Sequence, residues 1–271
     1  SDTTTQSKAI LQSYLVNLGQ LAQDAADVAK MAFDAAKQAQ DAMNLAKLAL
    51  GNSPSNTQIE ELVAKQAMAA EASQAAALQS SLAKQAAELA QFTADALSST
   101  PPIGTSAAFV AASNASLLST AVSADVVSVQ VQLEHLIKDL AQAAHDAALD
   151  ALTASATAID AKAALDAAVN AAGQSPAAHQ IELIELKQAA ALASAEAAHT
   201  KANAAFKAAT VASDAALRIQ NSVPSDVTAA LETTVLVKAK AKVTQAAALL
   251  SEVATDAIVE AEIGRASCRE R

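Results

Sequence analysis

The sequence predicts an all-α protein of two tandem three-helix bundles with long, alanine-rich helices, either sharing a continuous central helix or folded side by side. Three observations predict it. Alanine is the best helix former and supplies 77 of the 271 residues, against five Gly and five Pro. A shift of 122 residues superposes the chain on itself, so that Gly51, Pro54, Gln58, Ile59 and Gln66 fall on Gly173, Pro176, Gln180, Ile181 and Gln188. Apolar residues also recur in alternating steps of four and three, the spacing of helices that pack as coiled coils.

The first helix of each copy carries the clearest seam. Leu11, Leu15, Leu18, Ala22, Ala25, Ala29, Ala32, Ala36, Ala39, Met43, Ala46 and Leu50 are all apolar. So are their counterparts from Leu133 and Ile137 through Ala144, Ala151, Ala158 and Leu165 to Ala172. Alanine in the middle of a seam lets helix axes approach toward the short end of the usual range of about 8 to 10 Å. At each seam's end, Gly51 and Gly173 are placed to supply the left-handed residue that stops a helix. Ser53 and Ser175 are expected to cap the next helix, and Pro54 and Pro176 to occupy its first turn.

The second helix of the second copy has its own seam, Ile181, Ile184, Gln188, Ala191, Ala195, Ala198, Ala202, Ala205, Ala209, Ala212, Ala216 and Ile219. Gln188 is the polar intruder, matched by Gln66. One buried amide in an apolar seam is expected to fix register. In the first copy Ser73 and Ser80 also fall on this seam. Breaks at Ser98 to Gly104 and Asn221 to Asp226 end the second helices, leaving helices of about 40 residues, roughly 60 Å long. From Thr105 to Ala172 there is neither Gly nor Pro. One helix of roughly 100 Å could run through it, or Ser123-Ala124-Asp125 could cap a new one. The repeats are expected at residues 1–126 and 127–262.

Composition excludes several functions. The 18 basic residues form no run interleaved with aromatics, and net charge is −10, so nucleic acid is not an expected partner. No run of 18 apolar residues lacks polar interruption, which speaks against a membrane span. An opening at Ser1 without Met is expected of a processed, secreted, extracellular protein. Residues 263–271 hold three of the four Arg and the single Cys268. That ending resembles translation into cloning adapter, and no chemistry is built on it.

His135, His145, His179 and His199 lack partners at metal-ligand spacing, so no metal is expected. Five scattered glycines form no phosphate loop, and carboxylate pairs such as Asp24 with Asp27 are those of a solvated helix face. No catalytic residue and no cofactor is expected, and the chain reads as a non-enzyme. Asn114-Ala115-Ser116 is a formal glycosylation triplet inside a predicted helix.

Tandem three-helix units joined by a helix resemble the spectrin-like architecture, and the alanine-dominated seams of residues 5 to 262 resemble the coiled-coil silk and egg-case proteins of insects. That resemblance implies a structural protein that self-associates through helix packing. The alternative is a carrier holding an apolar small molecule, a lipid or carotenoid pigment, between its helices. Its contacts would be Tyr14, Phe33, Gln66, Phe92, Phe109, Gln188 and Phe206. Thr233, Thr244 and Thr255, spaced by 11 residues, resemble the alanine-rich helical antifreeze proteins and give ice binding as a third reading.

Overall fold

The computed structural model describes residues 2–51, 54–173, 176–220 and 222–269; among these, side chains are described for residues 6–252 and 256. The described residues form five α-helices and no strand: α1 (Asp2–Ala49), α2 (Asn56–Ala96), α3 (Ile103–Ala172), α4 (Ala178–Gln220) and α5 (Ser225–Arg269). They divide into two compact units, Ser1–Glu134 and His135–Arg271. The division, between Glu134 and His135, falls inside α3. α3 is one continuous helix of 70 residues. Ser123-Ala124-Asp125 therefore caps nothing: Ser123 Oγ lies 2.8 Å from Ser73 Oγ of α2, and Asp125 accepts a 2.6 Å bond from Gln40 Nε2 of α1. Tertiary partners hold these polar side chains in mid-helix, where their local bonding preference would favour a cap.

The seams of α1 and α4 pack much as their spacing predicts. Of the first seam Leu15, Leu18, Ala22, Ala29, Ala36, Met43 and Ala46 are buried, whereas Leu11 is 45% exposed. On α4 the positions from Ile184 to Ala216 are buried, Gln188 among them. Most of the buried apolar residues are alanines. In the first unit Ala22, Ala26 and Ala29 of α1 meet Ala83 and Ala87 of α2 and Ala108 and Ala112 of α3. In the second, Ala141, Ala144 and Ala148 of α3 meet Ala209 and Ala212 of α4 and Val227 and Ala230 of α5. Larger side chains return toward one end of the second unit, where Leu165, Ile184, Ala191 and Ala248 cluster.

Glycine allows the closest approach in the first unit. A Cβ built on Gly104 would collide with the Gly19 carbonyl oxygen and lie 2.9 Å from Gln23 N, and one on Gly19 would lie 2.5 Å from Pro102 Cβ. The start of α3 thus sits directly on the α1 backbone, which accounts for a glycine inside a helix that loses about 1 kcal/mol by it.

The turns correct the expected capping. Gly51 and Gly173 do take positive φ, 59° and 67°, but Ser55 caps α2, with φ −77° and ψ 157°. Ser53 and Ser175 lie outside the described residues. Pro54 and Pro176 precede the caps and are buried, so each stands two residues before the first helical residue, where its side chain contributes to packing and its fixed φ sets the entry of the chain. Ser98, with φ 50°, ends α2: Ser99 N donates to Ala94 O at 2.9 Å and Ser98 N to Asp95 O at 3.0 Å. This is a Schellman closure with serine where glycine is usual.

Candidate functional site

Polar groups buried between helices are the first candidates for chemistry, and in the first unit several are absorbed by packing, whereas the buried Thr105 hydroxyl has no hydrogen-bond partner. Ser73 Oγ of α2 donates to Ser119 O of α3, and Ser119 Oγ donates back to Ser73 O, both at 2.9 Å. Ser80 Oγ donates to Ala112 O at 2.7 Å. Gln66, expected as a register amide or ligand contact, donates through Nε2 to Val126 O at 3.0 Å and Gln130 Oε1 at 3.2 Å. Together they form a ladder along the α2/α3 seam. In the second unit the positions of Ser73, Ser80 and Ser119 hold Ala195, Ala202 and Ala241, all buried. Its buried threonines satisfy themselves locally, Thr234 on Leu231 O and Thr244 on Lys240 O.

That burial of Thr244, 1% exposed, removes it from any surface row with the half-buried Thr233; Thr255 lies outside the described side chains. All four histidines are exposed. Among the described residues no group of three or more His, Cys, Asp or Glu is placed to hold a metal ion. Cys268 lies outside the described side chains.

The aromatic residues do not converge. Tyr14 on α1 and Phe92 on α2 are 49% and 73% exposed. Phe206 on α4 lies under the Lys238 ammonium of α5, 4.4 Å from the ring centroid, a cation–π contact. Phe109 lies in a small cleft with Ser80 and Lys84. Phe33 lines a larger one, about 450 Å³ between α1 and α3, with Asp27, Lys30, Asp34, Val110 and Asn114. Gln188 is buried in α4.

The feature that periodicity did not reveal is what lies outside the core. Leu21, Leu45, Leu48, Leu78, Leu117, Leu186, Val235 and Leu250 are among many large apolar side chains left more than a third exposed. One window of 18 residues in α3 is even long and apolar enough by length and composition to cross a membrane, with 28% of it buried. Serines and threonines punctuate α3, so it holds no unbroken apolar run of that length although its mean hydropathy is high. Between α1 and α2 the outward residues rim an open groove in two stretches, about 470 Å³ from Leu21 to Val28 against Gln79 to Leu89, and about 210 Å³ from Ala35 to Ala42 against Lys65 and Met68. Alanine thus fills most of the interior, and although Leu15, Leu18, Leu62, Leu133 and Leu165 are buried with it, many of the larger apolar side chains face outward.

Comparison with family models, curated proteins and solved structures finds no match to this chain.

Proposed function

We propose that the protein is a secreted, non-enzymatic structural protein of two tandem three-helix bundles that assemble with further copies through their outer faces. The supporting observation is this outward placement of many large apolar side chains. Monomeric proteins rarely leave broad apolar patches in water, and such patches mark contact surfaces. With alanine filling the interior, the apolar area available for association is on the outside, and burying it is what drives assembly. The resemblance to insect silk and egg-case proteins points the same way.

A carrier is the second reading, favoured by the α1/α3 cleft. Its volume of about 450 Å³ falls within the range of about 300 to 1,000 Å³ usual for ligand sites, and Phe33 supplies an aromatic wall. The two readings separate on protein purified from its source. Assembly that grows with concentration in light scattering, together with a solvent extract free of pigment and lipid, supports the structural protein. An absorbing or lipid-loaded chain near one ligand per bundle, monomeric at every concentration, supports the carrier and sinks the first reading.

A further inference from the structure

The two units carry an internal control. The α1/α2 groove of the first unit has its equivalent, 122 residues on, between α3 and α4 of the second. There Asp150 and Lys201 face each other across the helices with Nζ to Oδ2 at 3.4 Å. In the first unit the same two positions hold Val28 and Gln79, both lining the groove. Leu21, Leu82 and Met68, which also line it, are replaced in the second unit by Ala143, Ala204 and Ala190. An apolar groove is therefore no necessary consequence of this fold. One copy has it and the other carries an ion pair there.

The groove's own pattern describes its occupant. Leu21 and Val28 lie seven residues apart on α1, and Leu82 and Leu89 seven apart on α2, each between 38% and 52% exposed. The second stretch repeats the first 14 residues along, with Ala35, Ala42 and Met68 in the same heptad positions. Heptad-spaced apolar stripes on two adjacent helices suit further helices carrying the same repeat.

We propose that this groove is an isologous dimer interface, in which the α1/α2 pair of one copy packs on the α1/α2 pair of a second copy. The inference rests on the self-association reading and names its surface. Two features favour a second copy over another occupant. The groove runs from Leu21 to Ala42, about 32 Å, and two helices side by side are about 20 Å across. The footprint is about 600 Å² per copy and about 1,200 Å² in all, enough for a specific dimer. The charged residues lining the groove, Asp24 toward one end and Lys65 toward the other, are self-complementary. A two-fold axis midway along brings each Asp24 end against the partner's Lys65 end.

The test grafts the second unit's solution onto the first. Full-length Val28→Asp/Gln79→Lys is compared with the parent chain by sedimentation equilibrium, with helicity checked by circular dichroism. The graft is expected to stay helical, because the second unit accommodates the same pair, and to weaken dimerisation about a hundredfold. Leu186→Glu, on an exposed position of α4, is expected to leave dimerisation unchanged. At low salt Asp24→Lys weakens the dimer and Asp24→Lys/Lys65→Asp restores it. A parent chain that dimerises equally well with the graft overturns this interface while leaving self-association standing. A parent chain that stays monomeric overturns both. Monomers that bind phosphatidylcholine vesicles, and lose that binding with the graft, assign the groove to a lipid surface instead and overturn the dimer.

Discussion

Gly104 and Ser73 show how single residues set the spacing of these helices. At Gly104 the neighbours are backbone atoms of α1, Gly19 O and Gln23 N, and backbone cannot swing aside as a side chain would. Gly104→Ala must push α3 off α1, and an overpacking cost of about 1 to 3 kcal/mol is expected in urea unfolding. The usual gain from replacing a helical glycine by alanine, about 1 kcal/mol, works against it, so a stabilised variant would show that α1 and α3 can separate freely. The Ser73 and Ser119 pair behaves differently. Each hydroxyl donates to the other's carbonyl, so Ser73→Ala or Ser119→Ala alone is expected to cost about 1 kcal/mol. The double variant resembles the second unit, where Ala195 and Ala241 pack without hydroxyls. Its cost should fall short of the sum, the mark of a coupled pair in a double-mutant cycle.

Between helices, the same device joins successive elements in both units. Gln58 Oε1 accepts from Ser55 N at 2.8 Å while its Nε2 donates to Ala49 O at 2.6 Å; Gln180 Oε1 accepts from Ala177 N at 2.9 Å and its Nε2 donates to Ala171 O at 3.4 Å. One amide thus satisfies an orphan donor at a helix start and an orphan acceptor at the preceding helix end. Replacing either glutamine by alanine is expected to lower unfolding free energy by about 1 kcal/mol. Gln58→Ala should cost the more, since its bonds are shorter and Ser55 completes a capping box there. Thermal unfolding of the two variants side by side tests the order. The Gly51 and Gly173 turns, with φ near 60°, let the chain bring these ends together, because only glycine takes that conformation without strain.

At the scale of the whole molecule, the distribution of side-chain size is the property to test. In an ordinary core, cutting leucine to alanine is costly; here the large side chains stand largely outside. Leu149, 49% exposed on α3, should tolerate Leu149→Ala within about 0.5 kcal/mol. Ala144, fully buried between α3, α4 and α5, should not tolerate Ala144→Leu. Three added carbons must force the helices apart, with an expected loss of about 1 to 3 kcal/mol or more. If Ala144→Leu proves neutral or stabilising in chemical denaturation, the interior is looser than described and has room for a guest.

The amino-acid sequence by itself determined the helices and their buried stripes. Seams such as Leu15 to Ala46 and Ile184 to Ala216 follow from periodicity alone, because a helix can bury only residues that recur near its own repeat. The paired glycine turns followed from the duplication. Only the tertiary structure decided which neighbours those stripes meet and what remains outside. Ser55 caps α2 through a local capping box with Gln58 three residues on, and the packing of α2 fixes what that turn rests against. Ser123 and Asp125 stay in mid-helix because Ser73 and Gln40 reach them from other helices. The groove between α1 and α2 was the least legible feature. Leu21 and Val28 satisfy one helix's periodicity as well as many others would, and their exposure depends on a second helix carrying Leu82 and Leu89 alongside. Alanine cores make this general: small seams bring helices so close that the larger residues beside them have nowhere inside to go.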